Sequence, residues 1–284
     1  MSLLTLREVK RRTEAFFDSK GVPNSRLDTD ELIAHVLKAK RLDLYLDLDR
    51  PLTETQLSEL RPLVRRRGNR EPLQYIIGTV DFFEMQLKVD SRALIPRHET
   101  EELVELIIAS LSKPPGKILD LGTGSGAFAL AFANKYPDAS IDAVDNSSAA
   151  LSLARENAQL LGLESQINFY QGSWFEPLNS GNSQYDLIVS NPPYLTQQEM
   201  ITAEPEVVNY EPHDALGAGE DGLDAIRLIF NETSRFLAHN ALLALEVGIG
   251  HQDELIELGN ANGLTGEVLD DLSGRTRFYL AHIK

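Results

Sequence analysis

The sequence predicts an α/β protein in two parts, a small all-helical front and a larger domain on a seven-stranded, mostly parallel sheet. Three observations carry this. From residue 117 onward, short apolar runs rich in β-branched residues alternate with amphipathic stretches of helix length. That is the pattern of strands joined by crossover helices, with helices on both faces of a sheet. A glycine-dense turn, Asp120-Leu121-Gly122-Thr123-Gly124-Ser125-Gly126, follows the first run and opens a helical stretch. Residues 1–73, by contrast, carry apolar residues at helical spacing throughout.

In the front domain, Leu4, Val9, Phe16 and Phe17 form one stripe, and Leu32, Ile33, Val36 and Leu37 a second. Asn24 or Ser25 is a suitable cap for the second helix, after the break at Gly21 and Pro23. Thr53, with Gln56 three residues on, fits a capping box for a third. Arg65-Arg66-Arg67 is the densest basic point of this region and reads equally well as a solvated helix end or a docking feature. Residues 74–96 turn aromatic and β-branched around Gly78 and Asp81, which predicts a β-hairpin linking the domains. The remainder, 97–284, begins with the amphipathic stretch Glu99 to Ser112. Its strands are KILDL, SIDAVD, INFYQG, YDLIVS, ALLALEV, TGEVLDD and TRFYLAHI. The last two are closely spaced, so the final strand is expected to insert antiparallel, giving a Rossmann-like sheet.

Composition narrows the class. The 284 residues suit one large domain plus a small one, and 42% hydrophobic with 25% charged residues is ordinary for a globular protein. No apolar run approaches the roughly 20 residues that cross a bilayer. The basic residues of the first dozen follow the apolar patch, the wrong order for a secretory signal. There is no cysteine, hence no disulfide or thiolate metal site. A cytoplasmic protein without a membrane partner is expected. Residues 1–80 hold 15 Lys and Arg against 12 Asp and Glu, a balance of +3, within a net charge of −16. The rest therefore carries −19, and so acidic a domain repels a phosphate backbone. His35, His98, His213, His239, His251 and His282 form no ligand spacing, so no metal is expected.

The glycines at 122, 124 and 126 allow positive φ and close approach of a ligand to the backbone. Gly122-x-Gly124-x-x-Ala127 also passes a relaxed dinucleotide fingerprint. Asp120 favours S-adenosylmethionine, because a carboxylate at that strand end reaches an amino-acid moiety and sits poorly beside a pyrophosphate. Asp145 ends the second strand, where a carboxylate accepts ribose hydroxyls in either kind of site. Trp174, the one tryptophan, follows the third strand and either packs against an adenine ring or belongs to the core. Ser173 lacks the carboxylate that often contacts the adenine amino group in such enzymes.

Asn191-Pro192-Pro193-Tyr194 closes the fourth strand, beside that cofactor region. A planar NH2 group is a poor nucleophile because its lone pair is delocalised. Two acceptors on its hydrogens favour a geometry in which the lone pair points at a methyl donor. Asn191 supplies a side-chain carbonyl and the chain at Pro192 a backbone carbonyl. Paired prolines restrict φ and hold these acceptors in place. Tyr194 can stack over a flat substrate and exclude water. The motif suits a methyltransferase acting on an amide or a nucleobase.

Together DLGTGSG, VD, GSWF and SNPPY resemble the amino-methyltransferases. REPLQYIIGTVDFFEMQLKV, LIPRHETEELVE, EPEVVNYEPHDALGAGEDGLDAIR, LEVG and DLSGRTRF resemble more closely the peptide chain release factor glutamine methyltransferases, the PrmC or HemK family. His98 departs from that family's usual proline, whereas Arg97 and Glu99 remain. The resemblance implies transfer of a methyl group to the glutamine of the Gly-Gly-Gln loop of bacterial release factors, with the front domain gripping another part of that partner. By position it implies that Asp120, Gly122, Thr123, Gly124, Ser125, Gly126 and Asp145 bind the cofactor, with Trp174 and Asn191 completing its pocket. It places the glutamine against Asn191, Pro192, Pro193 and Tyr194. Phe82, Phe83, Arg97 and Glu211 become pocket-wall or positioning residues, and a monomer is expected. An adenine-N6 nucleic-acid methyltransferase shares the NPPY tetrapeptide, but predicts a basic catalytic face that the charge balance opposes. An idle cofactor-binding module would be expected to lose the NPPY side chains, which are intact.

Overall fold

The computed structural model describes residues 4–178 and 184–283. The chain divides into two compact units: residues 1–79 with 204–210, and residues 80–203 with 211–284. No helix of the described residues is long and apolar enough to cross a membrane.

The first unit contains α1 (Leu6–Ser19), α2 (Ser25–Leu37), a 3-10 turn (Arg41–Leu46), α3 (Glu54–Gly68) and α4 (Leu73–Ile77). Thr5 and Glu8 cap α1 reciprocally, and Thr53 and Gln56 do the same for α3, so two orphan N–H groups are satisfied at each start. Asn24 is the N-cap residue of α2, without a side-chain bond. Leu6, Phe17, Leu32, Ile33 and Leu52 form a dry centre.

Beneath that centre lies an ionic cluster. Arg67 is buried; its Nε donates to Asp28 Oδ2 at 2.6 Å and its Nη1 to Glu206 Oε1 at 2.8 Å. Arg70 donates to both oxygens of Glu206, at 2.7 and 2.6 Å, and Tyr210 Oη donates to the carbonyl of Asn69 at 2.8 Å. These contacts explain why residues 204–210 belong to this unit although they lie far along the chain. The arginine triplet is therefore mixed in role, with Arg67 buried and Arg65 exposed.

Residues 74–96 do not form one linker. Leu73–Ile77 is helical and packs in the first unit. The hairpin β1 (Thr79–Phe82) and β2 (Met85–Lys88) puts Phe82, Met85 and Leu87 into the core of the second. Apolar residues at both ends recruit each piece to a different core.

The second unit continues with α5 (His98–Ser110), β3 (Lys117–Leu121), α6 (Ala127–Lys135), β4 (Ser140–Asp145), α7 (Ser148–Leu161), β5 (Ile167–Gln171) and β6 (Tyr185–Ser190). Short helices α8 (Gln197–Thr202) and α9 (Pro205–Tyr210, in the first unit) follow. Then come α10 (Asp224–Phe236), β7 (Leu237–Glu246), α11 (Gln252–Ala261), β8 (Leu264–Asp270) and β9 (Thr276–Ile283). The sheet runs β5-β4-β3-β6-β7-β9-β8, parallel except for β9, which pairs antiparallel with both neighbours. Alternation divides the core: Ile118, Ile141, Leu187 and Leu242 face α5, α6 and α7, whereas Leu119, Val144, Ile188 and Leu243 face α10 and α11. The strand order reverses between β3 and β6, so a crevice opens at their carboxyl ends.

Arg67→Ala leaves Asp28 buried without its cation, whereas the half-buried Glu206 keeps Arg70. The variant is expected to lose about 3–5 kcal/mol of the first unit's stability, read as a lower urea midpoint; Arg65→Ala is expected to change it little.

Candidate active site

At the end of β3 the chain must turn sharply from strand to helix. Gly122, Gly124 and Gly126 all have positive φ, at 72°, 57° and 89°. Gly126 is the N-cap residue of α6, and a Cβ there would lie 3.3 Å from that of Ala154 on α7. Only glycine combines that backbone with that closeness. Asp120 is wholly buried behind the turn. Its Oδ2 accepts from Thr123 Oγ1 at 2.6 Å and from the Ala129 N–H at 3.1 Å, tying the loop to the first turn of α6. Its Oδ1 has no hydrogen-bond partner, and burial raises the carboxyl to about 7, against the pull of those two donors.

Asp145, at the end of β4, accepts from the Gly124 N–H and the Ser147 N–H, each at 2.8 Å. Burial raises its carboxyl too, and the two donors oppose the shift. Each oxygen keeps a second lone pair. Trp174 has φ 47°, a left-handed conformation unusual for so large a residue. Its ring packs partly on the core and partly lines the adjoining cavity.

That cavity has a volume of about 510 Å³ and lies along the carboxyl ends of β3, β4 and β6. Gly122, Thr123, Gly124, Ser125, Asp145, Trp174, Asn191 and Pro193 line it. Asp120 and Gly126 lie behind it, and Arg97 and Glu211 stand apart as a pair, joined at 2.7 and 2.9 Å with Glu211 buried. Burial raises the Glu211 carboxyl, opposed by Arg97. Phe82 is core, and Phe83 packs against the same cluster while its N–H donates to Glu101 Oε1 at 2.6 Å. Neither phenylalanine forms a cavity wall, because the hairpin turns its aromatic residues towards α5.

The Asn191–Tyr194 turn is held from several sides. Ser190 Oγ donates to the Leu121 carbonyl at 2.6 Å, fixing the end of β6 to the end of β3. The Asn191 Nδ2 donates to Thr100 Oγ1 at 3.4 Å, and Thr100 Oγ1 donates to Glu246 Oε2 at 2.7 Å. Glu246 is buried at the end of β7, and burial raises it to about 7 despite Thr100 and Arg277. The Arg277 guanidinium lies 5.5 Å from the Tyr194 ring centre, an attractive cation–π arrangement. Leu195 bonds both ways to the 216–218 strand-like stretch, at 2.9 Å. A Cβ on Gly222 would lie 2.5 Å from the Tyr194 carbonyl oxygen, and one on Gly248 would lie 3.4 Å from the Tyr194 Cβ. Thr100, Ser190, Gly222, Glu246 and Arg277 are supports that sequence reasoning missed. A lone carboxylate ending the apolar run ALLALEV was the available signal for Glu246, since buried acids are rare without a task.

A doubly covered, mostly parallel sheet with an antiparallel last strand, a glycine turn after its first strand and an NPPY turn after its fourth define an S-adenosylmethionine-dependent methyltransferase. The PrmC N-terminal domain family matches residues 8–78 and the methyltransferase small domain family residues 98–209. A release factor glutamine methyltransferase of Geobacter sulfurreducens is 40% identical over 261 residues, 91% of this chain and 89% of that protein. One of Vibrio cholerae is 38% identical over 288 residues, covering 100% of this chain and 98% of its own. A solved 16S rRNA methyltransferase of T. thermophilus, in complex with AdoMet and guanosine, is 15% identical. It matches with a TM-score of 0.53 over 72% of this chain and 50% of its own, a likeness of fold. The chain belongs to the release factor glutamine methyltransferase family.

Gly222→Ala is expected to displace the Tyr194 backbone and lower turnover by about tenfold to a hundredfold, with S-adenosylhomocysteine affinity unchanged by calorimetry. Asp120 carries a second expectation. Its folded carboxyl holds a proton up to about pH 7, whereas the unfolded one loses it near 4. The folded state thus binds the extra proton across that window, and Asp120's contribution falls as pH rises through it. The melting temperature of Asp120→Asn is expected to vary less between pH 5 and 7.5 than that of the wild type.

Proposed function

We propose that this chain transfers a methyl group to the side-chain amide nitrogen of the glutamine in the Gly-Gly-Gln loop of peptide chain release factors. The observation that carries the reading is Asn191, which lines the cavity with its NH2 engaged by Thr100 Oγ1 on the same wall. Its Oδ1 has no protein donor among the described residues and is available to an incoming NH2.

The residues fit the methyl donor. Gly122 to Ser125 present backbone to the cavity without side-chain bulk, Asp145 has lone pairs left for hydroxyl groups, and Trp174 offers a flat face. These residues, with Gly126 shaping the turn and Asn191 at the far end, would hold S-adenosylmethionine. When bound, it supplies an electrophilic methyl on a positively charged sulfur. Asp120 acts from behind, by holding Thr123 and the start of α6.

On the substrate side, Asn191 Oδ1 and the Pro192 carbonyl take the two hydrogens of the glutamine amide. Pro192 and Pro193 keep these acceptors from rotating. Tyr194, steadied by Arg277, covers the amide plane and excludes water. Arg97 and Glu211 position the approach to the site. No strong base is required, because the proton leaves after transfer, when the nitrogen has become acidic.

The front domain supplies docking for the rest of the release factor. A groove of about 290 Å³ there has Leu4, Phe16 and Leu57 as floor and Arg12, Arg61 and Arg65 at its rim. A monomer working in the cytoplasm, without nucleic-acid partners, is the form this reading requires.

Transfer from labelled S-adenosylmethionine tests it with three substrates: a bacterial release factor, the same factor with its loop glutamine changed to alanine, and duplex DNA. Label on the intact factor alone is expected. Label on DNA overturns the reading. Reversing Arg12 and Arg65 to glutamate is expected to cut kcat/KM on the intact factor about tenfold, with a short Gly-Gly-Gln peptide little affected.

A further inference from the structure

We propose that Thr100 and Glu246 are positioning residues that set which way the Asn191 side-chain amide faces. The inference rests on the reading of Asn191 as the acceptor for the substrate amide. An asparagine amide has nearly the same shape when rotated by half a turn, but the rotation exchanges an acceptor for two donors. Facing the substrate with NH2 would set donors against donors. Something must select the productive orientation, and Asn191 itself does not.

The selection comes from a chain with one direction. Thr100 has a single hydroxyl proton, committed to Glu246 Oε2 at 2.7 Å. Towards Asn191 it therefore presents a lone pair, and the group that a lone pair attracts is Nδ2, found at 3.4 Å. An ionised Glu246 can accept but not donate, which fixes the direction from its end. Arg97 and Glu99 from the start of α5, Tyr194 from the turn and Arg277 from β9 surround it, with the two arginines favouring the charge. Its position on β7, among Ala244, Leu245 and Val247, calls for no carboxylate on packing grounds. Burying one there costs stability unless it performs a task.

The test uses the full chain at pH 8, above the value of about 7 to which burial raises Glu246, so that the carboxylate is ionised. Thr100→Val removes the hydroxyl at constant shape, Thr100→Ser restores it, and Glu246→Met frees the Thr100 proton to turn towards Asn191. Expected are an approximately tenfold fall in kcat for Thr100→Val and Glu246→Met, an unchanged KM for S-adenosylmethionine, and recovery in Thr100→Ser. Glu246→Met is expected to melt no lower than the wild type, because it removes a buried charge. Turnover within twofold of wild type in both variants overturns the proposal. So does a fall in cofactor affinity and melting temperature in step with kcat, which is how a purely structural prop behaves. Either variant suffices if the other does not fold.

A readout independent of turnover separates this inference from the functional reading. The side-chain amide resonances of Asn191, assigned by their loss in Asn191→Asp, are followed with S-adenosylhomocysteine bound. They are expected to shift and to exchange faster with water in both variants. Unchanged resonances overturn the positioning role even if the wild type proves inactive on release factors.

Discussion

The adjacency of β3 and β6 in the sheet is the constraint on which the site depends. These strands are separated by β4 and β5 in sequence, yet they pair in parallel from Ile118↔Leu187 to Leu121↔Ser190. Ser190 then closes the register by donating to Leu121. Because both strands end at the same level, the glycine turn and the NPPY turn emerge side by side over one cavity. A slip of one residue would turn every side chain of the strand to the opposite face and point Asn191 away. Ile118 and Leu187 pack in one core and Leu119 and Ile188 in the other, each fitted to its own helix layer, which opposes that slip, so packing of the core is also what aims the chemistry.

Three carboxylates sit where burial works against their charge: Asp120, Asp145 and Glu246. Each ends a strand or nearly does, and each accepts from a group that shapes the cavity. Asp120 takes the Thr123 hydroxyl, Asp145 the Gly124 and Ser147 amides, and Glu246 the Thr100 hydroxyl. Above about pH 7, where Asp120 and Glu246 are ionised, a charged acceptor makes a stronger and more directional bond than a neutral one, roughly twofold in strength. The desolvation penalty is therefore accepted at the points where a loop or an amide must hold one conformation.

The front unit uses ions differently. Arg67 joins Asp28 from α2 to Glu206 from a segment about 140 positions away, and Arg70 adds a fork on the same glutamate. Buried pairs add little net stability compared with apolar packing, but removing one partner is costly, so they are specific about which groups meet. The specificity here concerns which helix receives residues 204–210. Nothing in the apolar pattern of that short segment would have settled the question.

Local rules made much of this protein readable from its residues. Short apolar runs and period-3.6 patterns placed the strands of the sheet and the main helices, and the close spacing of the final strands announced the antiparallel insertion of β9. Thr53 and Gln56 announced the start of α3. The glycine turn and the NPPY turn were visible because their backbones demand glycine and proline. The tertiary structure decided the rest. It set Asp120 behind the cavity rather than in it, took Phe82 into the core with Phe83 packed against it, and split residues 74–96 between two units. It also brought Thr100, Gly222, Glu246 and Arg277 around Asn191 and Tyr194 from four separate stretches of chain. Periodicity reports which face of an element is buried, but not which element lies opposite. Contacts between distant residues depend on that second fact, which is fixed only when the sheet has its order.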